Sequence, residues 1–368
     1  MPATDLSRPA RLDLSGAGVR RARALPGREP GNDAAPRLAS DRRMGAWIEV
    51  LASLGLDPHP LWPAAVALDF EGDQWTAVEP SRDELRALYG LDVHELAVWR
   101  PLAEHAIEHL AAGRALIVEV DAFWLPVDVA ADDTNYRRNH ATATIVLNEV
   151  DLDARRIAFF HASGYVEARG DDVAHLLGLE DDASDLEAIA DWRGSRVAQV
   201  GAAAVALDEG RLPPHAQFIR ADRRVARSTE ELRMLALHHL GNHLAFRPAT
   251  NPLRRFAARI VDDLPLLREY GTAYHADWAS CTTRRLGGAC ELAARGLAWQ
   301  DEPAGSPLRD AARAFERLAR DAKTLDQKLG RAVASTRNAD TKKLLEGMAQ
   351  CWDDGMAALD AACGNGER

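Results

Sequence analysis

The sequence predicts an α+β protein in which an antiparallel sheet with accompanying helices is followed by an all-helical C-terminal domain. Three observations carry this reading. The run Leu116-Ile117-Val118, with Val120, is β-branched, apolar and of strand length. Two further strand-like segments, 141–150 and 156–161, are joined only by the polar residues 151–155, a connection that fits an antiparallel hairpin. Beyond about residue 225 the strand signal disappears. Ala/Leu/Arg-rich helical patterns, about four or five helices, then run to Leu359, punctuated by Pro248, Pro252, Pro265, Pro303 and Pro307.

From the N-terminus, residues 1–40 are rich in Arg, Pro, Ala and Gly without a hydrophobic period, and read as a mostly disordered leader. Met44, Trp47, Ile48, Leu51 and Leu54 recur at helical spacing, and Gly55 followed by Pro58 supplies a stop. A polar and aromatic segment covers 69–76. A short helix over 83–89 ends at Gly90, and a longer one over 94–112, split or kinked at Pro101, ends at Gly113. The first strand spans 114–125. After the hairpin, 165–168 adds a fourth strand and 171–177 a helix; 180–185 is an acidic loop, and 197–206 reads equally as strand or helix. The expected domains are thus 41–224 and 225–363.

Lys and Arg total 45 against 56 Asp and Glu, a net charge of −11, which has the wrong sign for a broad phosphate-binding surface and argues against nucleic acid as a partner. No stretch approaches 18 uncharged apolar residues and no export signal is recognisable, so no membrane association is expected. The cysteines, Cys281, Cys290, Cys351 and Cys363, lack metal-ligand spacing and disulfide density, which fits a cytoplasmic location. Phosphate-loop, dinucleotide, zinc-helix and serine-elbow motifs are absent from the sequence. No cofactor or metal is predicted.

Histidine is the side chain best suited to moving protons near neutral pH. His140 opens the second strand after the polar run from Asn135, with Tyr136 and Arg138 in it. His161 closes the partner strand, so the hairpin can bring both to one end of the sheet; the alternative is two ordinary strand-end residues. Asp121 and Trp124, with Phe123, leave the first strand where a cleft wall would stand; the alternative is an aromatic pair packed in the core. Asp69, Glu71, Asp73, Gln74 and Trp75 gather carboxylates, an amide and an aromatic around Gly72, a composition that holds a cation or amine, or simply solvates a loop. The pairs His105/His109 and His239/His243 have i, i+4 spacing without a third metal ligand, and a break at Gly241 would disrupt the second.

Taken in order, Trp47-Ile48-Glu49-Val50-Leu51, Leu54-Gly55-Leu56-Asp57-Pro58, Asp69-Phe70-Glu71-Gly72-Asp73-Gln74, Val118-Glu119-Val120-Asp121 and Leu125-Pro126 resemble the bacterial family called domain of unknown function 1839. Tyr136-Arg137-Arg138 with His140, and Phe160-His161 with Gly164-Tyr165, continue the match. It is strong over 44–170 and looser in the helical half, through Asn251-Pro252 and Glu291-Leu292-Ala293-Ala294. The strand-and-histidine region is also similar to the N-terminal domain of butirosin-type acyltransferases, a papain-like fold that moves an acyl group from a carrier-protein thioester to an amine.

That second resemblance implies a cysteine at the start of the first helix attacking the thioester, a strand-borne histidine as base and then acid, and an Asn or Asp orienting it. It places Arg42 at the nucleophile position and Ala162 where an amide is expected. A guanidinium stays protonated and cannot form an acyl thioester. Ser40 or Asp41 reads as the cap of that helix, the alternative being that one of them replaces the lost nucleophile. The resemblance therefore implies an acyl- or aminoacyl-transferase-like protein of specialised metabolism, working with a carrier protein and a small-molecule amine without its cysteine. His140, His161 and Asp121 form the catalytic set, and Arg42, Asp69, Glu71, Asp73, Gln74, Trp75, Trp124, Tyr136 and Arg138 the binding set. The alternative is a non-catalytic scaffold that docks a carrier protein or partner enzyme.

Overall fold

The computed structural model describes residues 21–26, 42–99, 102–127, 135–138, 140–162, 164–177, 215–300, 306–335 and 340–364. In chain order its elements begin with β1 (Arg21–Arg23), α1 (Arg42–Ser53), a 3₁₀ helix (His59–Ala67), β2 (Phe70–Glu71), β3 (Gln74–Trp75) and α2 (Arg82–Tyr89). Then come β4 (Asp92–Leu96), α3 (Leu102–Ala111), β5 (Arg114–Asp121), a 3₁₀ turn (Ala122–Trp124), β6 (Thr142–Asp151), β7 (Arg156–His161), β8 (Gly164–Arg169), α4 (Asp171–Leu177) and β9 (Ala216–Arg220). Five long helices follow among the described residues: α5 (Thr229–Ala245), α6 (Pro252–Cys281), α7 (Thr283–Gln300), α8 (Pro307–Ser335) and α9 (Lys342–Cys363). The α+β class with an all-helical C-terminal region is as the sequence predicts.

Two compact units form, one from residues 1–34 and 91–223, the other from 35–90 and 224–368. The units are therefore discontinuous in sequence: α1, the 3₁₀ helix over 59–67, the β2–β3 hairpin and α2 fold with the C-terminal helices, although they precede the sheet in the chain.

The first unit is a seven-stranded antiparallel sheet in the order β4-β9-β5-β6-β7-β8, with β1 also paired to β6. Leu116, Val118 and Val120 of β5, Ile145 and Leu147 of β6, and Ile157 and Phe159 of β7 point to one face. There they pack in a single buried cluster with Leu102, Ala106 and Leu110 of α3 and Val173 and Leu177 of α4. The opposite-facing Ala115 and Ile117 are buried as well, which is why β5 reads as a continuous apolar run instead of an alternating one.

The helix expected over 94–112 is shorter, because 92–96 is a strand whose residues pair with β9 from Asp92↔Arg220 to Leu96↔Ala216. The helix starts at Leu102, just past Pro101. The expected disordered leader also needs correcting within 21–25. Ala22 pairs with Val150, and the fully buried Asn148 sits in a β6 bulge where its side chain serves as a docking strip. Its Oδ1 accepts the Leu25 N–H at 2.8 Å, and its Nδ2 donates to the Leu25 carbonyl and to the Tyr165 hydroxyl oxygen, both at 3.1 Å. The rest of the leader, the Ser40/Asp41 cap, the 180–185 loop and 197–206 lie outside the described residues.

In the second unit, capping boxes start α2 (Ser81 with Glu84) and α5 (Ser228 with Glu231). Gly271, at φ 82°, breaks α6 into two helices. The 3₁₀ helix over 59–67 packs against α5 and α7. Gly296 of α7 is where that packing is tightest, since a Cβ there would fall 2.0 Å from the Cβ of Trp62. Phe70 and Trp75 join Phe256 of α6 in an aromatic cluster with ring centroids 5.1 to 5.4 Å apart.

Two substitutions test these contacts. Asn148→Ala strips the Leu25 N–H of its side-chain acceptor and leaves the Leu25 carbonyl with Arg23 Nε alone, and is expected to cost about 2–3 kcal/mol in urea unfolding, with faster amide exchange at Leu25. Gly296→Ala drives a methyl group into Trp62 and is expected to cost about 3 kcal/mol in the same measurement.

Candidate functional site

The last pair of the β5–β6 ladder is Asp121↔Thr142, and the Ala122 N–H extends it by donating to Ala141 O at 2.7 Å. Asp121 ends β5 and also caps the 3₁₀ turn, its Oδ1 accepting the Phe123 N–H at 3.0 Å. Its other oxygen, Oδ2, lies 2.6 Å from His140 Nδ1. An ionised carboxylate can only accept, so against it Nδ1 is the donor, and in a neutral imidazole the lone pair is then on Nε2. The imidazole stacks on Phe123 with centroids 4.4 Å apart and planes 8° apart. The His140 side chain is 17% exposed and that of Asp121 26%, so the pair is sheltered yet reachable. A fixed carboxylate behind an oriented imidazole is an arrangement able to take up and return a proton.

Around it, Trp124 stacks on His175 of α4 with centroids 3.5 Å apart, and the Arg137 guanidinium lies 4.1 Å over the Trp124 ring. Arg137 also pairs with Asp172 of α4, whose Oδ2 accepts the Tyr136 hydroxyl at 2.8 Å. Arg138 is exposed, its N–H closing a turn onto Asn135 O at 3.0 Å. Arg137, Asp172 and His175 were not among the sequence candidates. The aspartate reads from sequence as an ordinary first-turn acid, and the other contacts join segments distant in the chain.

The remaining candidates lie apart from this pair or in the other unit. His161 is 2% exposed and sits one step beyond the Val146↔Phe160 pair, opposite Ile145. The five residues separating Ile145 from His140 put the two histidines roughly 16 Å apart along the strand. Arg42 begins α1, in the unit that does not contain His140. The 69–75 segment is a hairpin whose turn residue Gly72 has φ 62°, which suits a first turn position that only glycine adopts freely. Glu71, Asp73 and Gln74 are exposed on it, Trp75 is wholly buried in the aromatic cluster, and Asp69 pairs with Arg255.

The helix carrying His239 and His243 runs unbroken through Gly241, and both histidines face Glu84 of α2, at 4.0 and 2.6 Å. Among the described residues no group of three or more His, Cys, Asp or Glu is arranged to hold a metal ion. Burial pushes the thiols of Cys290, Cys351 and Cys363 up, opposite to what a nucleophile needs. No helix among the described residues is long and apolar enough to cross a membrane.

The chain is thus an α+β protein with a helical C-terminal region and a carboxylate-oriented histidine at the end of its central strand pair. Residues 38–191 match the DUF1839 N-terminal domain and residues 229–361 the DUF1839 C-terminal domain. With both domains present in order over well over half its length, the chain belongs to the DUF1839 family. Comparison with curated protein sequences gave no match.

The Glu84 cluster sets a pH dependence. Burial alone would raise the Glu84 carboxyl, but hydrogen bonds from His243 and Ser81 hold it below 4.5. Burial likewise pushes His239 below 6.5, with Glu84 opposing. Both groups therefore bind protons more readily in the unfolded chain, so the stability they confer is complete above 6.5 and is lost on acidification, first through His239 and then, below 4.5, through Glu84. Melting temperatures measured from pH 8 to pH 4 are expected to fall with pH. Glu84→Gln should cost about 2 kcal/mol at pH 7 and flatten the acidic end of that curve.

Proposed function

We propose that the Asp121–His140 pair is a general base for acyl transfer, moving an acyl or aminoacyl group from a carrier-protein thioester to a small-molecule amine without an enzyme-bound intermediate. The observation that supports this most directly is the 2.6 Å contact between Asp121 and His140 Nδ1, which presents Nε2 as the proton acceptor. The amine nitrogen attacks the thioester carbonyl, and the C–S bond breaks as the C–N bond forms. His140 Nε2 takes the amine proton and returns it to the departing thiolate. The donor and acceptor classes rest on the resemblance to butirosin-type acyltransferases. The absence of a covalent step rests on the arginine at position 42 and on the raised, helix-borne thiols.

A second reading, a non-catalytic module that docks a carrier protein or partner enzyme, is favoured by the same arginine together with Ala162, where the resemblance calls for an orienting amide. One experiment separates them. Full-length protein is incubated with aminoacyl-loaded carrier proteins and a panel of amines and followed by intact mass. The transferase reading expects turnover that falls at least 100-fold in His140→Ala and by a smaller factor in Asp121→Ala. Equal turnover in wild type and His140→Ala, or none with any pairing, overturns it, and a stable complex without turnover establishes the docking reading.

A further inference from the structure

Arg137 is a non-glycine residue held at φ 56°, a backbone conformation that side chains other than glycine and asparagine rarely adopt. Four contacts hold it there. Its N–H donates to Phe123 O at 2.9 Å, and the turn around it is closed by Arg138 N–H on Asn135 O at 3.0 Å. Its guanidinium lies 4.1 Å over Trp124 and is ion-paired with the buried Asp172. With its charge matched by Asp172 and its face against an indole, this guanidinium is already occupied, which sets it apart from a substrate-gripping arginine.

Phe123 connects Arg137 to the candidate base. Phe123 gives its carbonyl to Arg137, its ring edge to Trp124 at a centroid distance of 4.9 Å, and its ring face to His140 at 4.4 Å. We infer that Arg137 is a positioning residue for His140, locking the Phe123 ring on which the imidazole rests and tying both to α4 through Asp172. This deepens the transfer reading and rests on it for its kinetic consequence, but the structural link can be measured without turnover.

The test uses the full chain with labelled histidine. The His140 Cε1–H resonance, assigned by its disappearance in His140→Gln, is expected upfield because the Phe123 ring stacks on the imidazole. Arg137→Asn removes the guanidinium while keeping a residue that tolerates the left-handed backbone. It is expected to move that resonance downfield and lower kcat about tenfold to a hundredfold with KM little changed. Asp172→Asn should do the same, and the double variant should be no worse than either single one.

An unmoved His140 resonance in folded Arg137→Asn overturns the inference. If neither variant folds, Phe123→Leu carries the test, since it removes the stack without touching the ion pair; an unmoved resonance there is equally fatal. A moved resonance in a protein without turnover leaves this inference standing and removes the transfer reading. Turnover that needs His140 and ignores Arg137 does the reverse.

Discussion

The carboxylate of Asp121 is the group on which the local architecture turns. One oxygen accepts a backbone N–H and ends β5 in a 3₁₀ turn; the other fixes the His140 ring. The same side chain therefore decides where the strand stops, where Phe123 and Trp124 emerge and which imidazole nitrogen holds the lone pair. As a hydrogen bond with partial solvent access it contributes about 1 kcal/mol to stability, little beside the buried cluster of sheet and helix side chains. Its importance lies in orientation. A sheet is a good support for such a pair, because the β5–β6 hydrogen bonds set the two backbones to within a fraction of an ångström before either side chain is placed.

Much of this fold could be read from the residues, and the exceptions have physical causes. The hairpin of β6 and β7 announces itself by two apolar runs around a short polar turn, and α2 by the Gly90 that ends it. The strand β4 escapes notice because an edge strand needs only one buried side chain, Val93 here, and Asp92-Val93-His94-Glu95-Leu96 fits a helical pattern equally well. The strand β1 is Arg-Ala-Arg, with no apolar signal beyond one alanine. It is held by the Asn148 amide, a partner more than 120 positions away. The discontinuity of the two units is illegible for the same reason, since nothing local in Trp62 shows that it will be met by Gly296.

The candidate site divides along the same line. Asp121 and His140 stand out as polar residues at neighbouring strand mouths, and an antiparallel register brings such ends together. Composition alone is a poorer guide to the 69–75 segment: its carboxylates suggest a shared ligand, whereas the backbone alternation of a hairpin sends Phe70 and Trp75 inward and leaves Glu71 and Gln74 exposed. His239 and His243 illustrate a further distinction. Their spacing is that of a metal pair, but both face a buried glutamate, which His243 contacts at 2.6 Å.

Chemistry narrows what the Asp121–His140 pair can do. A thiol becomes a nucleophile when its surroundings favour the thiolate, and the thiols of Cys290, Cys351 and Cys363 are pushed the other way by burial. The residue that begins α1 is a permanent cation, which stabilises negative charge but never forms a covalent acyl bond. In the proposed transfer a base accelerates attack by a bound amine directly, since removing the proton as the C–N bond forms avoids a high-energy ammonium intermediate. Such a mechanism depends on the imidazole being held rigidly, because there is no covalent intermediate to restrain the substrate. The left-handed Arg137, at a cost of about 1–2 kcal/mol, makes sense on these terms. Its ion pair with a buried aspartate and its stack on Trp124 offset that cost, and in return the Phe123 ring is held flat against His140.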